Sequence, residues 1–135
     1  MKNLLTGIMT KTAGSTLSTA VGGRIYFEPA PPGAEFPYVV VDIIYSSPDD
    51  PFSGSIESTL IQFSIYSEAG SAVEIADIYT ALKALFKDCE LTITGGTNIA
   101  FEQVNLVTMN DEITTPNGVS IVRHWAVDYS VIVES

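Results

Sequence analysis

His124 and Cys89 are the one histidine and the one cysteine of the chain, and so the first places to look for nucleophilic chemistry. A thiol paired with an imidazole works as a nucleophile when its thiolate is stabilised by positive surroundings. Cys89 has the opposite setting, Asp88-Cys89-Glu90, in which neighbouring carboxylates disfavour a thiolate. His124 stands between Arg123 and Trp125 in an alternating segment and reads as a half-exposed strand residue. Asp49-Asp50 offers paired carboxylates, but glycosidic chemistry needs two carboxylates held across a bond by a rigid frame. Neighbours in a Pro-flanked turn read instead as a solvated loop. Gly22-Gly23 and Gly95-Gly96 match neither the dinucleotide fingerprint nor the phosphate loop, and no zincin or nucleophile-elbow motif occurs. The expectation is therefore no catalytic residue, no metal and no cofactor. A small enzyme or ligand-binding domain using Cys89 and His124 is the alternative from another class.

The elements that would position these residues follow from hydrophobic spacing. Leu4, Leu5, Ile8 and Met9 predict a short helix over residues 3–12, with a second turn near Ser15–Val21. Gly22-Gly23 ends it. Arg24–Phe27 reads as a short strand, and the proline-rich Glu28–Pro37 as an irregular crossing. Phe36–Tyr45 predicts a strand apolar on both faces, either central or covered by a neighbouring subunit. Ser46–Ser55 reads as a loop and Glu57–Tyr66 as the antiparallel return strand. Ser71–Lys87 predicts the best-defined helix, with Ser71 and Glu74 forming a capping box and Ile75, Ile78, Tyr79, Leu82, Leu85 and Phe86 on one face. Leu91–Thr94 and Ile99–Met109 predict strands around Gly95-Gly96. Asn110–Gly118 reads as a second long polar loop, and Val119–Glu134 as a closing strand long enough to require a bulge or bend. The sum is a single α+β domain over residues 1–135, a mainly antiparallel sheet with two helices packed on one face.

Composition narrows the partners. In 135 residues, 16 acidic groups face 6 basic ones, for a net charge of −10. Binding nucleic acid through phosphate neutralisation needs Lys and Arg, so that class is excluded, as is docking on an anionic membrane. No apolar run reaches the length of a membrane span, and the amino end is too short and polar for a signal-peptide core. A single cysteine allows no internal disulfide, which fits a reducing cytoplasm. Charged residues make up only 16% of the chain, with serine and threonine taking their place. A low-charge surface is what the centre of a subunit contact requires.

In this order, the segments resemble the tail-completion, or tail-terminator, proteins of long-tailed bacteriophages and prophages. Carrying the resemblance are Leu-Ser-Thr-Ala-Val-Gly-Gly-Arg-Ile-Tyr (Leu17–Tyr26) and the strand entry Phe36-Pro37-Tyr38-Val39-Val40-Val41. They are followed by Phe63-Ser64-Ile65-Tyr66-Ser67, the Ala72–Lys87 helix and the closing strand His124–Val133. The resemblance implies a non-enzymatic virion tail protein, assembled in the host bacterial cytoplasm. Six copies would form a ring on the head-proximal end of the tail tube, ending its growth and joining it to the head. Its partners would be other copies of itself, the tail tube protein and a head connector or head-completion protein. DNA would pass through the lumen as cargo repelled by acidic groups, with no membrane involved. A head-to-tail connector or another minor tail protein is the alternative within the class. On this reading the two loops dock, giving Asp49, Asp50, Phe52, Thr115 and Asn117 as interface residues; the acids facing the lumen stay unassigned.

Overall fold

The computed structural model describes residues 2–27, 29–49, 56–68, 71–87, 91–93, 96–116 and 118–134. Helices α1 (Lys2–Thr12) and α2 (Thr16–Ala20) lead into strand β1 (Ile25–Tyr26), then β2 (Tyr38–Asp49) and β3 (Ile56–Ser67). Helix α3 (Val73–Phe86) follows, and β4 (Thr92–Ile93), β5 (Gly96–Thr115) and β6 (Gly118–Glu134) complete the chain. The strands form one sheet in the order β1-β2-β3-β6-β5-β4. Every pair is antiparallel except β1 with β2.

The α+β expectation holds, with three helices rather than two. The turn expected near Ser15–Val21 is a complete small helix because both its ends are capped. Ser15 accepts a hydrogen bond from the Ser18 amide at 3.2 Å. At the other end the Gly23 amide donates to the Ser18 carbonyl at 2.8 Å and the Gly22 amide to Thr19 at 3.2 Å. This Schellman pattern needs a left-handed residue after the cap, and Gly22 supplies φ +60°. Arg24 then ties down the proline-rich crossing, its guanidinium donating to the Pro37 carbonyl at 3.0 Å and the Phe36 carbonyl at 3.4 Å.

The core lies between the helices and one sheet face. Leu4 and Ile8 of α1, Leu17 and Val21 around α2, and Ile75, Ile78, Leu82 and Phe86 of α3 are buried. They meet Val39 and Val41, then Ile61, Phe63 and Ile65, then Val127, Tyr129 and Val131, the alternate residues of β2, β3 and β6. Burying four large side chains stabilises α3 by on the order of 6–12 kcal/mol. Phe63, Phe86, Phe101 and Tyr129 form its centre, with Phe86 stacked on Phe101 at 4.7 Å and Phe63 edge-on to Tyr129 at 5.5 Å.

Four details depart from the sequence expectation. The α3 N-cap is Ala72, without a side-chain cap bond. Glu74 accepts from the Ser67 hydroxyl at 2.7 Å, so the carboxylate ties α3 to the end of β3 instead of closing a capping box. Met9 is exposed, since the α1 stripe that reaches the core is Leu4 and Ile8. The bulge expected in the last strand occurs in other strands of the sheet, at Ile43/Tyr45 in β2 and at Asn98/Ala100 and Gln103/Asn105 in β5. Each bulge interrupts a ladder on one side only, whereas β6 is paired on both sides along most of its length. The fourth departure concerns both loops. Ser46–Asp49 continue β2 and pair with Thr59–Ile56, and β5 runs on to Thr115, opposite Gly118.

Candidate subunit interface

Beyond α3 the sheet narrows to a two-stranded ribbon. On the way to it, Tyr79 of α3 meets Trp125 edge-on at 5.8 Å and its hydroxyl accepts a hydrogen bond from the Gln103 amide at 2.8 Å. β3 pairs with β6 only as far as Arg123. Among the described residues, Asp111–Thr115 and Gly118–Val122 therefore pair only with each other. Thr, Ile and Val favour this extended path, so the segment holds as a ribbon although its Asn, Asp, Pro and Gly residues resemble a loop. Val119 and Ile121 are 64% and 53% exposed, with Glu112 directly opposite Ile121 in register. Val107 and Met109 are exposed on the other face of β5. An apolar two-stranded ribbon is marginal on its own in water and gains from a covering partner.

The sheet face away from the helices carries a row of rings. Tyr38, Tyr66, His124 and Met109 are successive register partners across β2, β3, β6 and β5. Tyr26 meets Tyr38 edge-on at 5.9 Å, Tyr38 stacks on Tyr66 at 4.9 Å, and Tyr66 stacks on His124 at 4.3 Å. Burial raises the Tyr38 and Tyr66 hydroxyl pKa values, and for Tyr66 the negative charges of Asp111 and Asp42 add to that rise. Burial likewise pushes the His124 imidazole below the ordinary histidine value, with Asp111 partly opposing the shift. Its Nε2 is out of contact with solvent and has no hydrogen-bond partner among the described residues. His124 thus serves as a neutral stacking plate. Below this row, the Gln62 amide donates to Asp128 at 3.0 Å.

The residues expected at an interface fall at two places. Asp49 ends β2 opposite Ile56, which in turn faces Glu134 at the last turn of the sheet. Thr115 ends β5 opposite Gly118, at the first residue of β6. The 17 residues of β6 separate the two hairpin ends by roughly 50 Å at about 3.3 Å per residue. Asp50, Phe52 and Asn117 lie outside the described residues, as does Cys89, the partner expected for His124 in the alternative reading. Sequence reasoning missed the exposed ribbon residues Val119 and Ile121. The signal was the β-branched run Ile113-Thr114-Thr115 and its counterpart beyond Gly118, masked by the turn formers between them.

A groove of about 520 Å³ runs between α3 and β5, bordered by Tyr79, Lys83, Lys87, Phe101 and Glu102. Among the described residues there is no group of three or more potential metal ligands. No helix there is long and apolar enough to cross a membrane.

A solved chain from the virion of a native gene transfer agent particle shares this fold, with a TM-score of 0.72 at 14% identity. The alignment covers 95% of the present chain and 92% of that one. No curated protein matches the sequence. The family model of tail completion protein gp17 matches residues 8–134, nearly the whole chain. The chain belongs to the tail completion protein gp17 family.

Proposed function

We propose that this phage-tail structural protein forms a ring, a hexamer, at the head-proximal end of the tail tube. The ring ends tube polymerisation and joins the tail to the head, and DNA passes through its lumen. One observation carries the reading: two hairpin ends stand about 50 Å apart on a single sheet. A ring subunit must meet one partner above and another below, and such a sheet can present a different end to each. In this reading Asp49, Asp50 and Phe52 serve one partner, the tail tube protein or the head connector. Thr115 and Asn117 serve the other. The net charge of −10 on each copy repels phosphates, so the genome is cargo and never ligand. Catalysis has no part in this function.

Deleting the gene tests the reading. The expected result is full heads, unjoined tails and tubes longer than normal, all corrected when the protein is supplied. Joined particles in its absence would refute it. Tails of normal length that stay unjoined would transfer the role to a head-to-tail connector.

A further inference from the structure

We propose that the β5–β6 ribbon of one copy docks in the α3–β5 groove of the next, a head-to-tail contact between copies of this chain. The inference rests on the ring reading and deepens it by assigning the surfaces through which neighbours meet.

The groove is basic on a molecule that is otherwise acidic. Lys83 and Lys87 stand one helical turn apart on its rim, both exposed, with small Thr80 and Ala84 beside them. Lys83 lies over the Tyr79 ring at 5.4 Å. Neither lysine has a carboxylate within ion-pair distance among the described residues, where Arg24–Glu35 is the single such pair. Glu102 on the opposite wall offsets part of this charge, leaving the rim lysines to an incoming acid.

The ribbon supplies the complement. Val119 and Ile121 lie on one face, the continuation of the face that further down β6 is buried beneath the helices. Cross-strand partners share a face, so Glu112 stands beside Ile121 on that surface. The result is an apolar pair next to a carboxylate, matched to an apolar groove rimmed by ammonium groups. A chain cannot serve itself, because Glu112 lies roughly 30 Å along β5 from Gln103 at the groove. Ribbon and groove are different patches, so the contact is heterologous, the kind that generates rings when its rotation closes.

The test places cysteines on both surfaces of the full chain. In a Cys89→Ser background, Ala84→Cys and Ile121→Cys are introduced together and oxidised with diamide. The expected product is a ladder of disulfide-linked multimers on a non-reducing gel, while either single cysteine stops at a dimer. Multimers by light scattering without a ladder would overturn the docking and leave the ring reading standing. A chain that stays monomeric up to about 1 mM would also overturn the docking, and the ring reading would then be decided by the deletion phenotype. A second pair of variants removes dependence on the cross-link. Lys83→Glu with Lys87→Glu weakens self-association roughly tenfold or more, and adding Glu112→Lys recovers most of the loss. Loss without recovery, in protein with an unchanged melting temperature, would overturn the charge pairing.

Discussion

His124 shows how a residue chosen for its chemistry can be used for its shape. Its ring is stacked at 4.3 Å on Tyr66, and burial holds its pKa below that of a free histidine. The unfolded chain therefore binds its proton at a higher pH than the native state does. Stability is complete above the unfolded value of about 6.5 and falls as the pH drops through it. His124→Phe keeps a flat ring in the row and removes the proton. The urea midpoint of the variant should change less between pH 7 and pH 5.5 than that of the parent; an equal decline in both would assign the acid sensitivity to carboxylates. Gly22 makes a second, conformational point. Its φ of +60° lies in the left-handed region, and an added Cβ would come within 2.9 Å of the Arg24 guanidinium. Gly22→Ala should cost about 1–2 kcal/mol of unfolding free energy, measured by denaturant titration.

At the scale of elements, α3 was readable and the ribbon was not. Of the stripe Ile75, Ile78, Tyr79, Leu82, Leu85 and Phe86 at helical spacing, four are buried, and Tyr79 and Leu85 are half-buried against the same core. The capping box failed because Glu74 has a competing donor, the Ser67 hydroxyl, whose nearness depends on tertiary structure. The ribbon escaped notice because Asn110, Asp111, Pro116 and Gly118 are turn formers one by one, while strand pairing is decided by register with a distant segment. Lys83 and Lys87 were legible as cations near a helix end, but their place on a groove rim became visible only once β5 was set beside α3. These elements differ in what they contribute. Phe86→Ala, at the centre of the aromatic cluster, should destabilise the fold by roughly 3–5 kcal/mol in denaturant melts. Replacing Glu112–Ile121 by a two-residue Asn-Gly turn removes a stretch that no third strand supports. That variant should melt within about 1 kcal/mol of the parent yet lose self-association by light scattering. A large drop in its melting temperature would instead make the ribbon part of the folding core.

On the scale of the whole molecule, charge acts through quantity rather than pairing. A net of −10 spread over 135 residues sets up repulsion that opposes the compact state. Among the described residues the compensating attractions are few. Among the described residues one ion pair occurs, Arg24–Glu35 at 3.9 Å, and its glutamate is 84% exposed. An exposed pair of that kind contributes about 0–1 kcal/mol, so salt has little specific attraction to weaken. It has much repulsion to screen, because the Debye length shrinks from roughly 20–30 Å near 0.01–0.02 M to a few ångströms near 1 M. Repulsion should therefore dominate the salt response, and the melting temperature should rise by a few degrees between about 0.02 M and 0.5 M sodium chloride, equivalent to roughly 1 kcal/mol. Scanning calorimetry of the ribbon-shortened chain, which stays monomeric on this reading, isolates the effect from assembly. A fall in melting temperature with salt would mean that specific pairs outweigh the acidic excess. The six bases would then be arranged as partners for it, and the field reaching passing DNA would be correspondingly smaller.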